Sequence, residues 1–181
     1  MSEPDDKALV RQSLGGDNRS FELLVDRYQK VLYNVSLRML NNPEDAMDVT
    51  QTAFIKAYEK LDTYNSKYKF FSWIYKIMIN ESLNVLNRRK PLDSVDSNLV
   101  SRDKTPDEEY RENRMAERVQ AAVANLPLDY RRLIVLRHFG NLSYRDMSGA
   151  LDLPEKTVKS RLYTARQMLK DLLLHRGVVR A

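Results

Sequence analysis

The strongest constraint on this chain is a pair of helical patterns separated by a short turn near its carboxyl end. Ser143 opens the first pattern and Asp146 follows three residues later, an arrangement typical of a capping box at a helix amino terminus. Pro154 predicts a turn over 152–154, because proline excludes its predecessor from helical backbone and suits a first helical turn. A helix-turn-helix is therefore predicted within residues 142–174.

The second helix of this motif is predicted to be amphipathic. Apolar residues recur at spacings of four and three and form one stripe: Val158, Leu162, Ala165, Leu169 and Leu172. The opposite face is polar and cationic: Lys156, Lys159, Ser160, Tyr163, Thr164 and Gln167. Such a face suits the DNA major groove, although an ordinary surface helix hairpin would show the same pattern.

The composition indicates an all-α fold in two small domains. Five Gly and six Pro among 181 residues permit long helices, and no segment alternates apolar with polar residues over a strand length. Cysteine is absent, which excludes disulfides, thiolate zinc sites and cysteine nucleophiles. This fits the reducing cytoplasm, and the acidic amino terminus resembles no signal peptide. We therefore expect a cytoplasmic protein, and no apolar run approaches the length that spans a bilayer.

The net charge of +5 is distributed unevenly along the chain. It is +2 over residues 1–90, −4 over residues 91–110 and +7 over residues 111–181. The basic excess therefore coincides with the helix-turn-helix, as phosphate binding requires, whereas a merely solvated basic surface does not explain the coincidence. We predict domains at 1–90 and 111–181, joined by an acidic linker at 91–110.

Three helices are predicted in the first domain before an aromatic-rich segment. A short helix over 7–14 precedes a second that begins at residue 17 or 18 and ends near Leu40. Its core stripe is Phe21, Leu24, Val25, Tyr28, Val31, Leu32, Val35 and Met39. Asn42 caps the third helix, and its core face is Met47, Phe54, Tyr58 and Leu61. The acidic first turn is either helix-dipole compensation or a partner-binding face.

Aromatic residues are concentrated in residues 64–75, where they alternate with Lys67 and Lys69. Core packing could use some of these rings, but aromatic faces beside cations also suit unstacked bases. A fourth helix follows to about Arg88, and its polar face carries residues at spacings of three and four: Trp73, Lys76, Asn80, Asn84 and Asn87. This unusual face favours nucleic acid over a bland solvated surface.

Catalytic and metal-binding patterns are not found in the sequence. The two histidines, His138 and His175, have no spaced partner for metal or acid–base chemistry, and no phosphate-binding glycine loop occurs. We expect no enzyme activity and no cofactor.

Four segments, in their order along the chain, resemble the extracytoplasmic-function type of bacterial sigma factor, the minimal two-domain members of the sigma-70 family. FELLVDRYQKVLYNVSLRML is similar to the start of the first conserved domain. PEDAMDVTQTAFIKAYEKLDTY resembles its polymerase-binding helix. FFSWIYKIMINESLNVLNRRK resembles the helix that reads and melts the −10 element. LPLDYRRLIVLRHFGNLSYRDMSGALDLPEKTVKSRL resembles the −35-binding domain.

The resemblance implies promoter-specific transcription initiation and assigns three sets of residues. Those for the −35 element are Lys156, Lys159, Ser160, Arg161, Tyr163, Thr164 and Arg166. Those for the −10 element are Tyr64, Asn65, Ser66, Lys67, Tyr68, Lys69, Phe70, Trp73, Lys76, Asn80 and Asn84. Those for the polymerase, chiefly the clamp helices of its β′ subunit, are Asp48, Val49, Gln51, Phe54 and Ala57.

The implied partners are core RNA polymerase, through the β′ clamp helices and the β-flap, promoter DNA and an anti-sigma factor. Three positions depart from the family pattern. Asp152 and Lys156 stand where small residues or Gly are common, and Lys156 adds a cation at the DNA face. Thr164 stands where arginine is frequent, so the −35 preference is expected to differ. The alternative is a helix-turn-helix regulator that does not act through core polymerase, and a helical adaptor that binds no DNA is a further possibility.

Overall fold

The computed structural model describes the backbone of residues 4–89, 107–175 and 178, and the side chains of all of these except 107–113. This part of the chain is helical and contains no strand, as the sequence predicts. None of its helices is both long and apolar enough to cross a membrane. The predicted acidic linker lies outside the described residues, except for its last four residues, which are helical.

The described residues of the first domain, 4–89, form four α-helices and a single 3₁₀ turn. The helices are α1 (Asp6–Leu14), α2 (Asn18–Leu40), α3 (Pro43–Glu59) and α4 (Phe70–Arg89), with the 3₁₀ turn Leu61–Thr63 before α4. Helix α2 packs against α1, α3 and α4, and α3 packs against α4. The large side chains buried between these helices include Phe70, Tyr75 and Met78. Each such side chain contributes about 1.5–3 kcal/mol through removal from water.

Local sequence explains where these helices begin. The Asp17 carboxylate accepts a hydrogen bond from the Arg19 amide at 3.0 Å and caps α2. The Asn42 side chain accepts from the Asp45 amide at 3.0 Å and caps α3, whose first residue is Pro43. Both caps satisfy amides that lack a partner within the helix, so the predicted helix starts are confirmed.

Three residues predicted to face the core are exposed instead. Val31 on α2 is 36% exposed, and Met47 and Tyr58 on α3 are 53% and 48% exposed. The apolar stripe of each helix is narrower than its sequence pattern, because neighbouring helices cover only part of the surface. Tyr58 lies at the edge of the packed face, where its ring contacts Phe21 edge-on with centroids 5.0 Å apart.

The second domain contains α5 (Asp107–Ala124), α6 (Leu128–His138), α7 (Tyr144–Leu151) and α8 (Glu155–His175). Helix α8 packs against α5, α6 and α7. Its predicted stripe faces this core: Val158, Leu162 and Ala165 are buried, and Leu169 and Leu172 are partly buried. The two domains also touch, because α2 contacts α5 and α6, and α4 contacts α7.

Candidate nucleic-acid interface

The helix-turn-helix is formed by α7 and α8. Ser143 accepts a hydrogen bond from the Asp146 amide at 3.1 Å, and the Asp146 carboxylate accepts from the Ser143 amide at 3.4 Å. This is the predicted capping box. Asp152 ends α7 in left-handed backbone with φ of 52°, a conformation that aspartate tolerates better than most residues. Pro154 then precedes α8, so the predicted turn is confirmed.

The outer face of α8 is open to solvent. Of the residues predicted to contact the −35 element, Arg161 is half-buried and the others are exposed: Lys156, Lys159, Ser160, Tyr163, Thr164 and Arg166. Tyr163 is 67% exposed. The Tyr163 ring offers a large contact area, and the packing of α8 relies on the opposite face of the helix. The outer face can therefore enter a DNA major groove.

Neighbouring side chains shift the pKa of two groups at this face, the Lys159 ammonium and the His138 imidazole. The Glu155 carboxylate lies 2.8 Å from Lys159 Nζ and, by accepting its hydrogen bond, raises the pKa of this ammonium. Arg166 Nε donates to His138 Nε2 over 3.4 Å. The imidazole pKa is lowered by partial desolvation and then by the charges of Arg166 and Arg137. The lowered pKa favours the neutral imidazole, the form that can accept from Arg166, over a cation at the helix end.

The loop before α4 presents most of the residues predicted for the −10 element. The Tyr64 hydroxyl donates to the Tyr68 carbonyl at 2.6 Å, and the Lys67 amide donates to the Asn65 side chain at 2.9 Å. These bonds shape the loop, while the side chains of residues 65–69 remain exposed. Tyr68 is 61% exposed beside two lysines, so the loop offers an aromatic face and cations together.

Two aromatic residues assigned to the −10 element differ from expectation. Phe70 is fully buried and belongs to the core of the first domain, so it cannot touch DNA directly. Trp73 is half-buried rather than exposed, because its ring packs against Tyr64 and Phe70 with centroids 5.6 and 5.7 Å apart. Buried and exposed rings could not be distinguished in the sequence, because both kinds alternate with lysines in this segment.

The polar face of α4 is present as predicted. Asn80 and Asn84 are exposed, and Lys76 is half-buried beside them. A cleft of about 990 Å³ lies between the loop, the start of α4 and the helix-turn-helix. Its lining includes Tyr68, Trp73 and Lys76 on one side and Arg145 and Asp152 on the other. No pattern in the sequence indicates that these two surfaces meet.

Helix α3 presents a different set of residues from the one assigned to polymerase binding. Asp48 and Gln51 are exposed as expected. Val49, Phe54 and Ala57 are buried, because they form the face of α3 that packs on the rest of the domain, so their side chains are not available to a partner. Exposed apolar side chains missed by the sequence pattern lie beside Gln51: Met47 at 53% and Ile55 at 58%.

Metal chemistry finds no support in the described residues. No group of three or more His, Asp or Glu side chains there is arranged to hold a metal ion.

The chain is similar to known proteins over both of its helical domains. The family model described as Sigma-70 region 2 matches residues 24–91, and the one described as Sigma-70, region 4 matches residues 116–169. The ECF RNA polymerase sigma-E factor of Haemophilus influenzae is 34% identical over 178 residues, which cover 92% of this chain and 94% of that protein.

Two solved structures share the fold. CnrH in complex with the cytosolic domain of CnrY matches with a TM-score of 0.74 and 25% identity, over 93% of this chain and 96% of that one. The sigma factor RpoE of Bartonella quintana, in complex with the anti-sigma factor NepR, matches with a TM-score of 0.70 and 20% identity. That alignment covers 86% of this chain and 97% of RpoE.

Proposed function

Because the chain belongs to the extracytoplasmic-function sigma factors of the sigma-70 family, we propose that it directs promoter-specific initiation through three separate surfaces. Helix α3 binds core RNA polymerase. The loop 64–69 with the polar face of α4 holds the opened −10 element. The outer face of α8 reads the −35 element in the major groove. The observation that carries this proposal is that both matched regions present exposed polar or aromatic faces on otherwise packed helices.

The polymerase surface is assigned to the exposed side of α3. Asp48 and Gln51 lie between the exposed apolar side chains of Met47 and Ile55. An apolar patch with polar neighbours is typical of a protein-binding face, and methionine adapts readily to a partner's shape. The partner assigned to this face is the pair of clamp helices in the β′ subunit. The β-flap is assigned to the second domain.

The −10 surface combines stacking with charge. The exposed ring of Tyr68 offers a face on which a flipped base can stack, worth about 1–3 kcal/mol. Lys67, Lys69 and Lys76 supply cations for the displaced strand. Extruding a base costs a few kcal/mol of stacking, which a prepared loop can offset. Trp73 and Phe70 support this loop, because their rings pack against Tyr64.

The −35 surface separates positioning from sequence reading. Arg161 and Arg166 are assigned to phosphates, which fix the register of α8 without reading bases. Lys159, Ser160, Tyr163 and Thr164 are assigned to the groove, where side chains can distinguish base pairs. The Ser160 and Thr164 hydroxyls donate to the Thr157 and Ser160 carbonyls at 3.1 and 3.3 Å, which leaves their lone pairs free to accept.

Regulation by an anti-sigma factor is part of the proposal. The solved structure most like this chain in fold among those compared above contains CnrH bound to a second protein, CnrY. The DNA- and polymerase-binding faces proposed here are large and amphiphilic, so a partner that covers them would prevent both functions. A pull-down from native cells that recovers only polymerase subunits would count against this part of the proposal.

The chemistry of RNA synthesis belongs to the polymerase. In this proposal the chain supplies no catalytic residue and no cofactor, and it acts where the polymerase is, in the cytoplasm. Tethering both DNA-reading domains to the polymerase makes the second DNA contact intramolecular, so neither domain needs high affinity alone.

Run-off transcription tests the proposal as a whole. Core polymerase would be assayed with and without the chain on a pooled promoter library. Transcripts that depend on the chain and enrich one pair of −35 and −10 sequences support the proposal. If the chain shifts DNA on a gel but adds no initiation, a helix-turn-helix regulator becomes the better account. That alternative leaves the match of residues 24–91 to Sigma-70 region 2 unexplained.

A further inference from the structure

Two lysines of the −10 surface are paired with aspartates from the other domain. Lys69 Nζ lies 3.3 Å from Asp146 Oδ2, and Lys76 Nζ lies 2.6 Å from Asp152 Oδ2. Both aspartates belong to the helix-turn-helix, Asp146 in the first turn of α7 and Asp152 at its end. The carboxylates therefore pair with ammonium groups that could otherwise bind phosphate oxygens, since both groups are anionic acceptors for such donors.

A second contact zone holds the same two domains together. The Arg131 guanidinium on α6 donates to the Met39 carbonyl at the end of α2 at 2.9 Å. Arg38 on α2 donates to the Gln120 side chain on α5 at 2.6 Å, and its guanidinium lies 4.8 Å from the Phe139 ring centroid. These contacts are far from the −10 surface in sequence and use different elements. The closed arrangement therefore does not depend on the two lysine–aspartate pairs alone.

The two aspartates have different structural duties. Asp146 is part of the capping box of α7, so its replacement would also weaken that helix start. Asp152 caps α7 through its left-handed backbone, and its side chain is 69% exposed apart from the contact with Lys76. Asparagine also tolerates left-handed backbone, so Asp152→Asn removes the charge and keeps the turn. Asp152 can therefore be tested without disturbing the fold.

We propose that the free chain partly masks its own −10 surface, with Asp146 and Asp152 acting as substitutes for DNA phosphates at Lys69 and Lys76, and that α7 must leave these lysines before single-stranded DNA can bind. This inference rests on the proposed role of the loop and α4 in −10 recognition. The masking partner is the chain's own second domain. The device is electrostatic and reversible, because both pairs are partly exposed to solvent and are weakened by salt.

The strength of a single ion pair determines how far the equilibrium between closed and open molecules should shift. One exposed ion pair shifts an equilibrium by about 1.5- to fivefold, so the loss of one pair loosens the closed state without abolishing it. The measurement must therefore be made at an ionic strength at which roughly half of the wild-type molecules are open.

The absence of cysteine allows a direct distance measurement. Gln29→Cys on α2 and Gln167→Cys on α8 place spin labels at two exposed positions without a change of net charge. Pulsed electron spin resonance then gives the distance distribution of the full chain. Asp152→Asn is compared with Asp171→Asn, an equal change of charge at an exposed position of α8. The same variants are tested for binding to a single-stranded −10 oligonucleotide without polymerase.

We expect salt to broaden and lengthen the wild-type distribution. Asp152→Asn should raise the ratio of open to closed molecules about 1.5- to fivefold and strengthen oligonucleotide binding by more than Asp171→Asn does. Identical distance distributions for the two variants, a wild-type distribution insensitive to salt, or equal oligonucleotide affinities would each overturn the inference. Run-off transcription separates this result from the proposed function, since initiation by wild-type chain with core polymerase does not require the mask to exist.

Discussion

Lys56 Nζ on α3 lies 2.7 Å from Glu81 Oε1 on α4, so an ion pair joins the helix assigned to polymerase to the helix assigned to the −10 element. The carboxylate is mostly covered, with 18% of its side chain exposed, while the lysine is 39% exposed. A second pair, Arg89 with Asp45, joins the opposite ends of the same helices. These two pairs tie α3 to α4.

Loss of the first pair should destabilise the first domain. Glu81→Gln leaves Lys56 without its carboxylate and is expected to lower the free energy of unfolding by about 1 kcal/mol, or about 2–4 °C in Tm. Thermal unfolding followed by circular dichroism measures this. Glu59→Gln, at an exposed position of α3, the helix that carries Lys56, is the control. Equal effects of the two substitutions would show that the pair adds nothing.

Substitutions at two adjacent residues of α3 should affect different properties, one polymerase binding and the other stability. Ile55→Glu places a charge on the exposed apolar patch and is expected to weaken binding to core polymerase at least tenfold, with little change in Tm. Phe54→Ala removes a buried ring and should instead cost about 3–5 kcal/mol of stability. Affinity for fluorescent core polymerase and Tm would be measured together. Undiminished polymerase binding by Ile55→Glu would remove α3's outer face from the interface.

Two exposed tyrosines should separate the two promoter elements. In the reconstituted holoenzyme, Tyr68→Ala should weaken binding of the opened −10 strand by about 1–3 kcal/mol, because it removes a stacking surface. Tyr163→Ala should reduce discrimination at the −35 element and leave −10 binding unchanged. Each variant serves as the control for the other, with competition assays on templates altered in one element. The same defect in both variants would mean that neither tyrosine has the assigned role.

Arg166 is expected to contribute charge rather than sequence preference. Arg166→Gln should weaken binding to all duplexes and reduce the slope of log affinity against log salt by about 1. Lys170→Gln, an equal loss of charge at an exposed position further along α8, is the control. Fluorescence anisotropy over a salt series measures both slopes. A change in base preference without a change in slope would place Arg166 in the groove instead.

His138 should make stability depend on pH in the acidic range. Its pKa in the folded chain lies below the ordinary 6.5, through partial desolvation and then the charges of Arg166 and Arg137. The unfolded chain therefore binds more protons below about pH 6.5, so its contribution to stability is lost as pH falls through this range and is constant above it. Urea unfolding at several pH values measures the effect. His138→Gln should reduce this slope, and an unchanged slope would contradict the assignment.

Much of the fold follows from local sequence signals. Ser143, Asn42 and Asp17 mark helix starts because their side chains accept from unpaired amides, and the turn at Pro154 follows from the geometry of proline. The outward face of α8 follows from the spacing of its apolar residues. These signals act within a few residues, so they can be read from the sequence without knowledge of tertiary packing.

The assignments that were wrong depended on contacts between distant elements. Met47 and Phe54 look alike in a helical pattern, yet only Phe54 meets a neighbouring helix. Phe70 lies among lysines in sequence, but Tyr64 and Trp73 close over it in space. The pairing of Lys76 with Asp152 depends on how two domains meet, for which no sequence pattern was available.

Strand opening at the −10 element tests the central claim most directly. A promoter selected with wild-type chain and core polymerase would carry 2-aminopurine in its −10 element. The account predicts a rise in fluorescence that requires both core polymerase and this chain and that falls when Tyr68 is replaced by alanine. Promoter binding by both proteins without any rise in fluorescence would contradict it.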